Sequence, residues 1–159
     1  MSETVLICCF GIGIVAGLRS MTAPAIVSWA GYLSWLGVGA GPFWFIASLP
    51  VVVILTAWAL FEIVIDKTSK IGNRTGLVGL IFRIVTSSLS GAVISTAAST
   101  GPALGVIMGL AGGMIGTYGG YHLRRACVRK TSFGDLPVAI AEDLIGVGLG
   151  VVCVYVAGH

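Results

Sequence analysis

Five long apolar runs dominate this sequence, and they restrict the chain to a fold that lies within a lipid bilayer. The runs cover residues 5–36, 42–65, 77–98, 102–121 and 136–156. Of the 159 residues, 57% are hydrophobic and 9% are charged, whereas a soluble domain carries about 25% charged residues. Because a spanning helix needs about 20 apolar residues, the sequence predicts an all-α, polytopic transmembrane helix bundle of about five spans. We expect one transmembrane domain over residues 1–159.

The first run is too long for one straight crossing, and it contains both Arg19 and Pro24. Ser20 or Thr22 can cap a new helix that has Pro24 in its first turn. We therefore predict that the first helix is broken or kinked near Arg19–Pro24. A broken helix would offer free amides to a carboxylate or phosphate. A plain proline kink, with Arg19 reaching a neighbouring carboxylate, is the alternative.

The connections between the runs are of two kinds, and the difference predicts an orientation. Two of them are basic and the other two carry no charge; the basic residues are Lys67, Lys70, Arg74, Arg124, Arg125, Arg129 and Lys130. Basic loops stay in the cytoplasm. With five crossings, this places the N-terminus in the cytoplasm and the C-terminus outside. Within the second run, Pro50 predicts a helix kink.

Ionisable residues inside the apolar runs are the most informative feature for function. A charge at the bilayer centre costs roughly 2.5–3.5 kcal/mol on the insertion scale, so these groups must pair, line a hydrated cavity or reach the interface. The topology puts them at similar depth in the cytoplasmic half, which predicts a shared cluster. With the polar residues that share their helix faces, the candidate substrate- or ion-binding residues are Arg19, Ser20, Thr22, Glu62, Asp66, Arg83, Thr86, Ser87, Glu142 and Asp143.

Two roles remain open for this cluster. In the first, Arg19 and Arg83 bind an anion or supply counter-charge, while the carboxylates carry a proton or a cation. In the second, the arginines only neutralise Glu62 and Glu142 as buried salt bridges between helices. The acids outnumber the internal arginines, which favours the first role.

Glycine is concentrated in the fourth run, in overlapping small-xxx-small patterns. The candidate helix-packing residues are Gly105, Gly109, Gly112, Gly113, Gly116 and Gly120. Such patterns let helix backbones approach closely. They are typical of packing within one bundle, and a homodimer seam or a sliding surface for alternating access is also open.

These features favour a small transporter or lipid-handling carrier with a buried charged site in the cytoplasmic half. Coupling to protons or cations is an open option for this carrier. The expected partners are membrane lipid and a small ion or a polar or amphipathic substrate, and a homo-oligomer is expected because five helices make a thin-walled cavity. The competing classes are a structural or assembly protein whose buried salt bridges fix the helix register, and an intramembrane enzyme that acts on a phosphorylated lipid.

No catalytic or metal motif occurs in the sequence, so we expect no cofactor and no metal. The net charge of +3 gives no reason to invoke nucleic acid.

Three short motifs carry a resemblance to a known family. They are the segment GLRSMTAP at residues 17–24, Glu62 followed by Asp66 and Lys67, and the adjacent Glu142 and Asp143. Together they resemble an uncharacterised domain-of-unknown-function family of small bacterial integral membrane proteins. The resemblance implies a location in the bacterial inner membrane, and it supplies no activity.

Overall fold

The computed structural model describes residues 3–68, 77–130 and 135–159, and these residues form six α-helices and no strand. The helices are α1 (Glu3–Leu18), α2 (Thr22–Tyr32), α3 (Leu49–Thr68), α4 (Leu77–Ala97), α5 (Pro102–Lys130) and α6 (Asp135–Gly158). Two short 3-10 helices, Val38–Ala40 and Trp44–Ala47, connect α2 to α3. The predicted all-α class and the predicted break in the first run are confirmed.

The break between α1 and α2 reverses the direction of the chain. A Cβ atom added to Gly150 of α6 would meet both Ile12 of α1 and Ile26 of α2, so these two residues lie at the same level. The residues between them therefore form a hairpin whose tip is Arg19–Met21. We call this segment the hairpin tip.

Both chain ends lie at one end of the bundle. At the hairpin tip Arg19 pairs with Asp143 of α6, and further along α1 Gly11 faces Cys153, so α1 and α6 are antiparallel. The opposite end, where α3 and α5 end and α4 and α6 begin, is called the basic end, because the basic connections lie there in the sequence. This arrangement differs from the prediction of one broken crossing with the chain ends on opposite sides. The reason is that neighbouring helices bond the backbone groups at the tip, which allows a full reversal.

Helix α5 lies at the centre of the bundle, and its glycines form two rows. Gly105, Gly109 and Gly113 face α4, where a Cβ on Gly109 would overlap the carbonyl oxygen of Ser87. The row formed by Gly112, Gly116 and Gly120 faces Phe10, Ile14 and Leu18 of α1. Small residues allow this backbone-to-backbone approach. Both rows are thus covered by helices of the same chain.

Three helices of the described chain are long and apolar enough to cross a membrane. These spans are Val78–Ala97, Pro102–Cys127 and Pro137–Gly158, and two shorter apolar helices are Glu3–Leu18 and Leu49–Ile65. The chain is therefore a membrane protein.

Two element boundaries differ from those predicted. Helix α5 continues nine residues beyond the predicted end at 121, to Lys130. Helix α3 begins at Leu49, so Pro50 lies in its first turn, where the missing N–H costs nothing. The kink expected at Pro50 is wrong for this reason.

Candidate functional site

The hairpin tip lies inside the bundle, near its basic end. Glu62 is six residues from the end of α3, Arg83 six residues from the start of α4, and Asp143 eight residues from the start of α6. At 1.5 Å per residue, these positions are about 9–12 Å inside the helix ends. Non-helical backbone at this depth requires protein or water partners for its polar groups.

The end of α1 is bound by side chains of α4 and α5. Arg83 is buried, and its Nη1 donates hydrogen bonds to the carbonyl oxygen of Gly17 and, at 3.2 Å, to that of Leu18. Thr117 Oγ1 also donates to the Gly17 carbonyl, at 3.3 Å. The last carbonyls of a helix lack partners within the helix and carry partial negative charge. A cation and a hydroxyl therefore cap α1.

The start of α2 is bound by a carboxylate of α3. Glu62 Oε1 accepts hydrogen bonds from the backbone N–H of Ser20 at 3.0 Å and from its Oγ at 2.8 Å. Oε2 accepts from the backbone N–H of Met21 at 2.9 Å. The anion expected at the start of the second half-helix is thus present, and it is a side chain of the same protein.

Among the described residues of this region, Arg19 pairs with Asp143, and Arg124 pairs with Glu142. Arg19 is 2% exposed, and its Nε lies 2.5 Å from Oδ1 of Asp143. Nearer the basic end, Arg124 Nη1 lies 3.5 Å from Oε2 of Glu142. The sequence suggested that Arg19 reaches a neighbouring carboxylate, and this carboxylate is Asp143. The pair of Arg124 with Glu142 was not expected, since Arg19 and Arg83 were the suggested partners of Glu62 and Glu142.

The hydroxyl groups of the candidate site differ in their bonding. Thr86 Oγ1 donates to the carbonyl of Phe82 at 2.9 Å, and Ser87 Oγ donates to that of Ile84 at 3.0 Å. These two hydroxyls are satisfied by their own helix. Thr22, the first residue of α2, is 6% exposed, and its Oγ1 has no hydrogen-bond partner in the part of the chain described. Asp66 belongs to α3, but its side chain lies outside the described residues.

Sequence reasoning missed two residues that bind this cluster, Thr117 and Arg124. Arg124 was assigned to a basic loop because the apolar run ends near Tyr121. It follows Gly116 and Gly120 at intervals of four residues, which is the spacing of one helix face. That spacing was the available signal that Arg124 lies on the same helix.

A family model for a domain of unknown function, DUF4126, matches residues 6–157. The chain belongs to the DUF4126 family. The resemblance noted from the three sequence motifs to an uncharacterised family is thereby confirmed. No curated protein and no solved structure gives a match. The DUF4126 region includes the hairpin tip and every side chain described above as bound to it, so function has to be argued from their chemistry.

Proposed function

We propose that this protein is a small membrane carrier for anions, in which the start of α2 is the anion site and Glu62 is its resting occupant. One observation carries the proposal: the carboxylate of Glu62 accepts hydrogen bonds from two backbone amides at the half-buried start of a half-helix. Broken helices near the middle of the membrane are the recurrent binding elements of transporters, and their N-termini bind anionic groups.

The donors at this site suit a carboxylate or phosphate group. The amides of Ser20 and Met21 point at one carboxylate, and the partial positive charge of the helix start adds to their attraction. Thr22 adds a buried hydroxyl with no described hydrogen-bond partner next to these amides. An incoming anion with three oxygens can use this extra donor, whereas the two oxygens of Glu62 do not.

A proton on Glu62 would release the site. The backbone amides of Ser20 and Met21 only donate to this carboxylate, so protonation removes the charge that they bind and adds a hydrogen that neither amide can accept. The helix that carries Glu62 is also peripheral, since α3 packs against α2 and the second 3-10 helix and exposes Trp58, Leu60 and Phe61. Exchange of protonated Glu62 for an anion would couple anion movement to protons.

The orientation follows from the positive-inside rule. The basic end faces the cytoplasm of a bacterial cell in this proposal, and both chain ends lie on the opposite side of the inner membrane. The basic connections would then raise the local concentration of anions near the hairpin tip. The homo-oligomer stays a prediction. The glycine rows of α5 cannot form its interface, because helices of the same chain cover them.

The proposal is tested with purified protein in vesicles that contain a pH-sensitive dye. External succinate and inorganic phosphate probe the two anion chemistries, and either should drive protein-dependent acidification of the interior. Glu62→Gln should remove this proton movement, because the glutamine side chain has no carboxylate that can take up and release a proton. Glu142→Gln is the matched control, since Glu142 lies in the same half but pairs with Arg124. If neither anion moves protons above the level of empty vesicles, the proposal is wrong.

A structural role is the second candidate, and the Arg19–Asp143 pair favours it. This ion pair is nearly dry, with side chains 2% and 11% exposed, and it joins α1 to α6. Buried pairs of this kind can fix helix register. If Arg19→Met and Asp143→Leu each destabilise the protein, their combination restores stability and no flux is found, the structural role replaces the carrier.

A further inference from the structure

A second feature lies outside the hairpin tip, between the end of α5 and the start of α6. Here the two helices diverge and leave a cleft of about 170 Å³, with Leu18 and Gly120 at its floor. A Cβ on Gly120 would overlap the side chain of Leu18, so the glycine lets Leu18 pack directly on α5. Leu18 is the last residue of α1, so α1 does not cover the part of α5 that follows Gly120.

The walls of the cleft are apolar, and its polar groups lie towards the basic end. Leu123 and Ile145 line it, and each is 67% exposed. Arg124 and Glu142 also line the cleft and pair across it at 3.5 Å. Arg125 is the next residue on α5 and is exposed, so its positive charge adds to the Arg124–Glu142 pair beside the cleft.

We propose that this cleft binds one anionic phospholipid. In a bilayer, an acyl chain would lie between Leu123 and Ile145, and the head-group phosphate would contact the guanidinium groups of Arg124 and Arg125. Basic pockets between transmembrane helices on the cytoplasmic side bind anionic head groups, because Arg matches phosphate oxygens with paired donors. The excess of positive charge selects an anionic lipid over a zwitterionic one.

The geometry also gives the lipid a structural effect. Leu18 lies at the floor of the cleft, and its carbonyl oxygen accepts a hydrogen bond from Arg83. A bound acyl chain would therefore pack against the last residue of α1 and support the hairpin tip from the side that α5 and α6 leave open. This site is separate from the start of α2, so its occupancy can be measured without any flux assay.

The test uses the delipidated full chain in detergent, with dioleoyl-phosphatidylglycerol or dioleoyl-phosphatidylcholine added. We expect the anionic lipid to raise the unfolding midpoint by about 5 °C at saturating concentration, and the zwitterionic lipid to raise it by much less. Ala141→Trp fills the cleft and should abolish the difference between the lipids. Ile140→Trp, a neighbour that does not line the cleft, should keep it.

Native mass spectrometry of the unaltered protein keeps the proposal testable if Ala141→Trp does not fold. From an equimolar lipid mixture, one phosphatidylglycerol molecule should be retained per chain in preference to phosphatidylcholine. Equal retention of both lipids overturns the proposal. So does a dimer without bound phospholipid, which would mean that a second copy of the chain covers the cleft.

Discussion

The two sides of the hairpin tip are bonded in opposite ways. The end of α1 is held by Arg83 of α4 and Thr117 of α5, two helices whose backbones pack closely against each other. The start of α2 is held by Glu62, which belongs to the peripheral helix α3. In the proposed carrier, the break in the chain is fixed on its carbonyl side and exchangeable on its amide side.

In the proposed carrier, this difference would let a small bundle keep irregular backbone in a membrane and still offer a ligand site. Buried backbone groups need partners at all times, and both sides of the break have them. Only the amide side receives its partner from a carboxylate that can be neutralised by a proton. Four substitutions test the comparison, from the largest expected effect to the smallest.

Removing the cation on the fixed side should have the largest effect. Arg83→Met leaves the buried carbonyls of Gly17 and Leu18 without their guanidinium donor. Each unsatisfied buried group costs about 1–3 kcal/mol, so we expect the free energy of unfolding to fall by about 2–5 kcal/mol. Thermal unfolding in detergent measures the change, and Arg83→Lys should recover part of it. A melting curve for Arg83→Met equal to that of the unaltered protein would mean that this side is not fixed.

Disturbing the packing that supports the fixed side should have the next largest effect. In Gly109→Ala the new methyl group would overlap the backbone of Ser87, and overpacking typically costs about 1–3 kcal/mol. Gly119→Ala is the matched control on the same helix, because a Cβ there meets nothing within 4 Å in the described structure. Chemical unfolding of both variants should separate them, and equal stabilities would contradict the role given to the glycine rows.

Replacing the carboxylate on the exchangeable side should have a smaller effect on stability than either change above. In Glu62→Gln the remaining side-chain oxygen can still accept a hydrogen bond from Ser20. The other oxygen is replaced by an NH₂ group, which cannot accept the hydrogen bond from the Met21 amide. Loss of a helix cap costs about 0.5–2 kcal/mol. The same thermal assay checks this value. A loss greater than that of Arg83→Met would reverse the comparison between the two sides.

The smallest effect on stability is expected for Thr22→Val. The buried Thr22 hydroxyl has no hydrogen-bond partner in the described residues, so replacing it with an isosteric methyl group should cause no loss in the free energy of unfolding. Any stabilisation by added succinate or phosphate should nevertheless decrease in this variant. If Thr22→Val is clearly destabilising and leaves the anion effect intact, the hydroxyl belongs to the fold and not to the anion site.

The sequence by itself determined the class of fold, the position of the break and the existence of charged residues within the spans. These properties depend on local composition: a run of apolar residues sets a helix in lipid, and Arg19 followed by Pro24 interrupts it wherever the chain goes next. The glycine rows of α5 were likewise visible as a spacing of four residues.

Only the tertiary structure decided that the break is a reversal and which groups pair at it. Arg83 had two possible roles from its sequence, and its bonds to the carbonyls of α1 depend on α4 lying beside that helix. Arg124 reached Glu142 only because α5 continues past its apolar run. Whether two side chains pair depends on the distance between them across separate helices. A sequence pattern predicts the helix face and the membrane depth of a residue, but not which helix faces meet.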